Sequence, residues 1–205
     1  RMCQLHSVQG HESVSGPGSS LEQTAEIRQR LPLLLQELGV SVLLDAPCGD
    51  FNWMREVRLG IDTYIGIDLL EDLMQRNRER YSAPSRRFLA LDILNGPLPM
   101  ADVVLCRDCL VHLSFADIVC VLHNMRRSGS SYLLTTTFSS RSTNVDIVNG
   151  GWRPLNLQAA PFFFPLPLRL INEMCTESGG AFNDKCLGLW LLSDLPLRNI
   201  GRGTT

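Results

Sequence analysis

The sequence predicts an α/β fold, in which a single domain forms a three-layer sandwich around a mostly parallel, seven-stranded sheet. Short apolar runs alternate with polar, helix-like stretches over the first two thirds of the chain. This alternation is typical of βαβ units and of a parallel sheet covered on both faces. The last third carries two apolar runs joined by the polar link "CTESGGAFND", which predicts an antiparallel C-terminal strand pair.

The predicted elements follow one another in a regular order. Ser20 and Gln23 form a capping-box pattern before the first helix, which covers 21–38, and Gly39 ends it. Pro32 lies inside this helix and predicts a kink or two shorter helices. Further helices are expected at 52–57, 71–81 and 115–126. Strands are expected at 40–45, 64–69, 88–93, 101–106, 131–138, 168–172 and 185–192.

Length, composition and charge narrow the classes of function. The chain has 205 residues, which suits one domain with a sizeable core, and no internal repeat is visible. Its formal net charge is -2 and its basic residues are dispersed, so no nucleic-acid partner is indicated. No apolar run reaches the roughly 20 residues of a membrane span. Seven scattered cysteines and the lack of an apolar leader after Arg1 predict reduced thiols and a cytoplasmic location.

Residues 1–20 are polar, rich in glycine, serine and histidine, and end in "SGPGSS". This composition predicts a loop, and we expect a flexible N-terminal arm that acts as a lid over a ligand site. The remaining residues, 21–205, are expected to form the one folded domain.

Three of the first four predicted strands carry an aspartate at or near their C-terminal ends: Asp45, Asp68 and Asp92. In open α/β sheets, ligands bind at that edge. A single strand-end aspartate more often caps a helix or forms a turn. Three of them along one edge favour a binding site instead.

The turn after the first strand, in "LLDAPCGDFNWM", resembles a nucleotide-binding turn but has only one glycine, Gly49. A pyrophosphate-binding turn keeps several glycines so that the backbone can approach the ligand. Here Pro47 and Phe51 occupy such positions, and Pro47 also removes an N–H donor. A dinucleotide or phosphate ligand is therefore disfavoured.

The acidic residues indicate another ligand. Asp45 would attract an ammonium or sulfonium group. Asp68 lies 68 − 49 = 19 residues beyond Gly49, close to the spacing of about 20 at which an acidic residue binds a ribose diol. Asp92 is placed to accept a hydrogen bond from an exocyclic amine. A ribose, an adenine amine and a cationic aminoacyl end occur together in S-adenosylmethionine.

Four segments together resemble the class I (Rossmann-like) S-adenosylmethionine-dependent methyltransferases: "LLDAPCGDF", "YIGIDL", "LALDI" and "ADVVLCRDCLVHLS". The resemblance covers roughly residues 40–138 by motif and extends to about 195 by strand order. It implies a Rossmann-like sandwich that binds S-adenosylmethionine and releases S-adenosylhomocysteine. The family usually has glycines at the positions of Pro47 and Phe51, so this chain fits a variant subgroup. The cofactor-binding residues that we expect are Asp45, Pro47, Gly49, Phe51, Trp53, Asp68, Leu69, Asp92, Ile93 and Arg107. For Phe51 and Trp53, a place in the core is the equal alternative.

The loop "CRDCLVHLS" lies where this family places residues that face the methyl acceptor. His112 is the candidate general base, because a hydroxyl acceptor must lose its proton. Asp108 is four residues earlier and would share a face with His112 in a helix, so it could orient the imidazole or contact the cofactor. Arg107 could bind an acidic substrate or the cofactor carboxylate. The alternative for His112 is a packed residue that leads into the next helix.

The segment "NGGWRPLNLQAAPFFFP" is expected to build the acceptor pocket. Trp152 would offer a flat apolar wall and Arg153 a forked donor to a sugar, an aromatic ring or an anion. For the three phenylalanines at 162–164, a packing role is favoured. No carboxylate–histidine cluster at metal spacing stands out, so no metal ion is expected.

The function most consistent with these features is O-methylation of a small molecule or sugar by in-line methyl transfer. Methylation of a protein or RNA is an alternative within the same class. A catalytically degenerate module that binds the cofactor and regulates a partner is an alternative outside it. An NAD-dependent oxidoreductase is disfavoured because the glycines are missing.

Overall fold

The computed structural model describes residues 12–197. Its helices are α1 (Ala25–Glu37), α2 (Glu71–Tyr81), α3 (Phe115–Arg127) and the short, kinked α4 (Glu177–Gly180). Its strands are β1 (Val42–Asp45), β2 (Thr63–Asp68), β3 (Arg86–Ala90), β4 (Val103–Cys106), β5 (Tyr132–Phe138), β6 (Arg169–Asn172) and β7 (Lys185–Leu191). Single 3₁₀ turns form at Pro17–Ser19, Met54–Glu56, Leu110–His112 and Leu192–Asp194.

All seven strands form one sheet in the order β3-β2-β1-β4-β5-β7-β6. The first five pair in parallel, whereas β7 is antiparallel to both β5 and β6. The predicted fold class is therefore confirmed, including the antiparallel pair near the C-terminus. The order reverses between β1 and β4, and their carboxyl ends flank the point where ligands bind in such sheets.

The core lies in two layers, one on each face of the sheet. Successive strand residues point to opposite faces, so Leu43 joins the layer under α1 and α2, while Leu44 joins the layer under α3. Phe162 and Phe164 are buried in the α3 layer, as expected for a packing role, whereas Phe163 is exposed. The central strands are buried on both faces, which explains their continuous apolar runs.

Several predicted boundaries are wrong. β3 starts earlier than predicted and ends at Ala90, so Asp92 lies in the loop that follows the strand. The predicted helix at 52–57 is only the 3₁₀ turn Met54–Glu56. Helix α1 runs through Pro32 without dividing into two, and Thr24 rather than Ser20 is its N-cap. The Ser20 hydroxyl still accepts a hydrogen bond from the Gln23 N–H at 3.3 Å.

Candidate functional site

A cavity of about 280 Å³ opens at the carboxyl ends of β1, β2 and β4. The loops after β1, β2, β3 and β4 form its walls, and two serines of the N-terminal segment complete it. The structure brings most of the predicted site residues together here: Asp45, Pro47, Gly49, Trp53, Asp68, Leu69, Asp92, Ile93, Arg107, Asp108 and His112.

The turn after β1 is held between the two neighbouring strands. Ala46 N–H donates to the Leu105 carbonyl of β4, and Cys48 N–H donates to the Ile67 carbonyl of β2, both at 2.8 Å. Gly49 has a φ of 55°, a left-handed conformation that glycine adopts without steric cost. This local geometry brings the turn against the cavity even though only one of its residues is glycine.

Asp45 ends β1 inside the protein, with 4% of its surface exposed. The Tyr64 hydroxyl donates to its Oδ2 at 2.6 Å. Burial raises the pKa of Asp45 to about 7, although the Tyr64 hydrogen bond and the Arg107 charge oppose the rise. A cation bound nearby would favour the ionised form of this carboxyl group.

Asp68 and Asp92 each stabilise the turn that follows them. Asp68 Oδ1 accepts from Leu70 N–H at 3.1 Å, and Asp92 Oδ1 accepts from Leu94 N–H at 2.8 Å. Burial raises the pKa of Asp68, and hydrogen bonds from backbone N–H groups lower it in part. Both carboxyl groups also line the cavity, so the turn-forming role and a binding role are compatible at these positions.

The segment 12–20 is docked against the turn after β1, mainly through Asp50. The Asp50 carboxylate accepts from Ser13 Oγ and from Val14 N–H, both at 2.8 Å. Asp50 N–H in turn donates to Ser15 Oγ at 3.1 Å. Ser15 and Ser19 line the cavity, and sequence analysis missed both of them, together with Asp50. The composition of residues 1–20 predicts a flexible arm over the ligand site, but it does not identify these contacts, and residues 1–11 of that arm lie outside the described residues.

A buried ionic network lies beside the cavity. The Arg107 guanidinium pairs with Glu173 at 2.7 Å, donates to the Gly18 carbonyl at 2.8 Å, and lies 5.7 Å from the Trp53 ring centre. The Lys185 ammonium pairs with Asp108 Oδ2 at 2.7 Å. Burial alone would raise the pKa of Asp108, but the neighbouring Arg107 and Lys185 charges outweigh it and lower this pKa.

The predicted partnership between Asp108 and His112 is not what the structure contains. Asp108 has a φ of 51°, so the segment does not continue as a helix that would place the two side chains on one face. The Asp108 carboxylate faces Lys185 and Arg107 instead. Asp108 therefore anchors the loop after β4, and another group orients His112.

His112 lies at the end of the 3₁₀ turn Leu110–His112 and is exposed, while Leu110 and Val111 are buried. Its Nδ1 is 2.7 Å from the Gly151 carbonyl oxygen. A carbonyl only accepts, so Nδ1 must carry the proton, and in the neutral imidazole Nε2 then has a free lone pair. This is the form that a general base requires, and the alternative of a packed histidine does not fit the exposure.

Three predicted site residues, Phe51, Trp152 and Arg153, lie outside the cavity lining. The Phe51 ring is 3% exposed and packs in the core against Tyr64, Tyr81 and Phe88, because its positive φ of 59° directs it away from the cavity. Trp152 is 44% exposed and contacts Phe138 and Phe182 outside the cavity lining.

Arg153 is 5% exposed, and its guanidinium binds the carbonyls of Val145, Leu110 and Leu113. The prediction that Arg153 offers its fork of donors to a substrate is not met, because the buried guanidinium donates to these three backbone carbonyls instead.

Among residues 12–197, no group of three or more histidine, cysteine, aspartate or glutamate side chains is close enough to hold a metal ion. None of the helices in that range is both long and apolar enough to cross a bilayer.

Neither a family model nor a curated protein sequence matches the chain. Solved structures do resemble it. The N-methyltransferase NodS from Bradyrhizobium japonicum WM9 superposes with a TM-score of 0.56 at 16% identity, over 83% of this chain and 96% of NodS. Human N-acetylserotonin methyltransferase, solved in complex with S-adenosylmethionine, gives a TM-score of 0.55 at 13% identity, over 79% of this chain and 50% of the human one. Together with the strand order, these likenesses show that the chain has the fold of the class I S-adenosylmethionine-dependent methyltransferases.

Proposed function

We propose that the protein is an S-adenosylmethionine-dependent methyltransferase that methylates a hydroxyl group of a small molecule or sugar. The observation that carries the proposal is the convergence of Asp45, Asp68 and Asp92 on one cavity at the carboxyl edge of this fold. Asp68 and Asp92 each also form a turn, but all three carboxyl groups line the same cavity, where one ligand can contact them together.

The residues of the cavity fit the chemistry of S-adenosylmethionine. Asp68 offers a carboxylate to a ribose diol, and Asp92 offers one to an amine. Asp45 places a partly ionised carboxyl group where positive charge would be stabilised. The apolar side chains that could face a purine ring are Leu69, Leu91, Ile93 and Leu94. When bound, S-adenosylmethionine would supply an electrophilic methyl group on a cationic sulfur.

A phosphate-bearing cofactor fits less well. Pro47 has no N–H to offer, and a Cβ at Gly49 would lie only 2.2 Å from Ser15 Oγ, which shows that segment 12–20 already covers the turn. The carboxyl groups of Asp45 and Asp50 would repel a pyrophosphate. These features support the sulfonium cofactor over a dinucleotide.

His112 is the residue that we propose removes the proton from the methyl acceptor. Its Nε2 lone pair can take the proton that a hydroxyl loses as its oxygen attacks. The Gly151 carbonyl accepts from Nδ1–H and so leaves the Nε2 lone pair free. This favours a hydroxyl acceptor, because a carboxylate or phenolate acceptor would not need a base.

Donor binding is tested by calorimetric titration with S-adenosylmethionine and S-adenosylhomocysteine. We expect wild type to bind both, and Asp68→Asn to bind them about 10- to 100-fold more weakly, because a charged acceptor is lost. Asp62→Asn, at an exposed aspartate before β2, is the matched control and should bind like wild type. Absence of binding by wild type at millimolar donor would refute the proposal.

Catalysis is tested with labelled donor and a fractionated extract of the source cells, followed by mass analysis of the labelled product. We expect His112→Ala to lower product formation by about 100-fold or more, the range for loss of a general base, with donor affinity little changed. His123→Ala, at an exposed histidine of α3, should retain wild-type activity. Equal turnover by His112→Ala and wild type would remove His112 from the mechanism.

A regulatory module that binds the cofactor without turning it over is the second candidate. One observation favours it: Asp108, expected to support the base, is instead paired with Lys185. The same two experiments separate the candidates, because the module predicts tight binding of both ligands and no labelled product in any fraction.

A further inference from the structure

Arg153 forms an unusual set of contacts for a buried cation. Within residues 12–197, its three side-chain hydrogen bonds all go to backbone carbonyls: Nε to Val145 at 3.2 Å, Nη1 to Leu110 at 3.0 Å and Nη2 to Leu113 at 2.8 Å. Its guanidinium carbon lies 5.5 Å from the centre of the Phe115 ring. Burying a charge is costly unless its donors are satisfied, so this arrangement commits the side chain to the loops that it joins.

The segment 150–153 lies along the turn that carries His112. Arg153 N–H donates to the Val111 carbonyl at 3.2 Å, and Gly150 N–H donates to the His112 carbonyl at 2.9 Å. Together with the two guanidinium bonds, these contacts reach the carbonyl of every residue from 110 to 113. The Gly151 carbonyl in turn accepts a hydrogen bond from His112 Nδ1 at 2.7 Å.

The register between these two segments decides which nitrogen of His112 carries the proton. Gly151 can reach Nδ1 only while the turn and the segment stay aligned, and Arg153 spans both ends of the turn, from Leu110 to Leu113. Gly150 has a φ of 89°, so the approach also depends on a backbone conformation that favours glycine.

We infer that Arg153 is a positioning residue that fixes His112, a residue of the cavity lining, in the Nδ1-protonated form and so leaves the Nε2 lone pair free. The inference rests on the proposed function, since the value of a basic Nε2 depends on a methyl acceptor. Lysine cannot replace arginine here, because one ammonium group cannot reproduce the planar fork that joins two carbonyls of one turn and a third from Val145.

The test is the protonation state of His112, measured by two-bond ¹H–¹⁵N correlation spectra of the imidazoles at alkaline pH. The four histidines of the chain make assignment practical, with His112→Gln identifying the signal by its loss. We expect Nδ1–H as the dominant form in wild type. In Arg153→Lys we expect that dominance to be lost, because a free imidazole side chain prefers Nε2–H.

Arg126→Lys is the matched control. Arg126 also binds three backbone carbonyls, those of Leu192, Ser193 and Leu195, but it does so at the end of α3. It should lose stability and keep the wild-type His112 spectrum. If Arg153→Lys fails to fold, Phe115→Leu removes the ring against which the guanidinium packs and should shift His112 in the same direction to a smaller extent.

An Nδ1–H signal that is unchanged in folded Arg153→Lys, or in Phe115→Leu where that variant is the one used, would overturn the inference. So would a wild-type spectrum dominated by Nε2–H. The spectra need neither donor nor acceptor, so the positioning role and the proposed function can fail separately. Failure of donor binding with a tautomer that depends on Arg153 would refute only the methyltransferase.

Discussion

The Asp45 carboxyl group lies at the end of a buried strand, where burial raises its pKa to about 7 from an ordinary value of 3.8. The hydrogen bond from the Tyr64 hydroxyl offsets only part of the cost of burying its charge. A site that must stabilise a cation needs this charge, whereas the empty fold would be more stable without it. Binding residues commonly oppose stability in this way.

The raised pKa of Asp45 makes the free energy of unfolding depend on pH. The folded state holds the Asp45 proton more tightly than the unfolded state, so the free energy of unfolding falls as the pH rises from about 4 to about 7 and is then level. The whole effect is at most about 4 kcal/mol. We expect Asp45→Asn to lack this decline and to be more stable than wild type at pH 8 by about 1–3 kcal/mol.

Urea denaturation of both proteins between pH 4 and pH 8 measures the difference, and other titrating groups cancel in the comparison. Asp62→Asn controls for the loss of one negative charge at an exposed position. Parallel curves for wild type and Asp45→Asn would contradict the role of burial. The same variant should bind S-adenosylmethionine more weakly, which would separate the functional from the structural contribution of this residue.

At the level of single residues, the sequence predicted positions at strand ends far better than positions in turns. Asp45 and Asp68 end strands whose apolar runs fix the edge of the sheet, so their place could be inferred from periodicity. Phe51 follows Gly49 in a turn, where a side chain's direction depends on one φ angle that no pattern encodes. The prediction that Arg153 contacts the substrate failed for a related reason. The backbone carbonyls that accept its hydrogen bonds cannot be identified from the sequence.

At the scale of elements, the segment 12–20 and the turn after β1 form one wall of the cavity. Asp50 is the centre of this contact, since it accepts hydrogen bonds from Ser13 and Val14 and donates one to Ser15. Asn52 adds a bond to the Ser19 carbonyl at 3.1 Å. Polar contacts hold the wall, so it should open at a lower cost than the core.

We expect Asp50→Ala to release segment 12–20, because it leaves several donors without their acceptor at a cost of about 1–3 kcal/mol. Amide hydrogen exchange followed by mass spectrometry should show faster exchange in that segment, with β1 and β4 protected as in wild type. The affinity for S-adenosylmethionine should fall about tenfold, corresponding to about 1.4 kcal/mol. Asp62→Ala controls for the loss of an exposed carboxylate. Unchanged exchange in segment 12–20 of Asp50→Ala would show that other contacts hold this wall of the cavity.

The sequence predicted the type and order of the strands, but less of their exact extent. Arg86 and Arg87 begin β3 although they are polar, since an edge strand needs less burial than a central one. The contacts between segment 12–20 and Asp50 join residues 35–37 apart in sequence, and local sequence patterns do not predict contacts at that separation. Composition therefore predicted a loop over the ligand site, but it did not identify Asp50 as the residue that holds this segment.

At the scale of the whole molecule, the antiparallel pair is joined to the site through buried charges. Glu173 follows β6 and Lys185 begins β7, and both reach the loop after β4. Two cations, Arg107 and Lys185, are balanced by two carboxylates, Asp108 and Glu173. The late strands thereby stabilise the cavity edge, although they contribute none of the residues that line it.

A balanced network makes each of its members sensitive to replacement, because removing one partner leaves an uncompensated buried charge. The Glu173 side chain is 1% exposed, so we expect Glu173→Gln to lower the free energy of unfolding by about 3–5 kcal/mol. The double variant Glu173→Gln with Lys185→Gln removes one charge of each sign. It should be at least about 1 kcal/mol more stable than the sum of the two single changes predicts.

Urea denaturation at pH 7 measures this double-mutant cycle, with Glu37→Gln as the control. Glu37 pairs with Arg169 of β6, but both side chains are about half exposed, so its loss should cost less than about 1 kcal/mol. Additive effects of Glu173→Gln and Lys185→Gln would show that the two charges do not interact. Non-additive effects together with weaker S-adenosylmethionine binding by Glu173→Gln would establish that the C-terminal strands stabilise the cavity through Arg107 and Asp108, at a distance from the ligand itself.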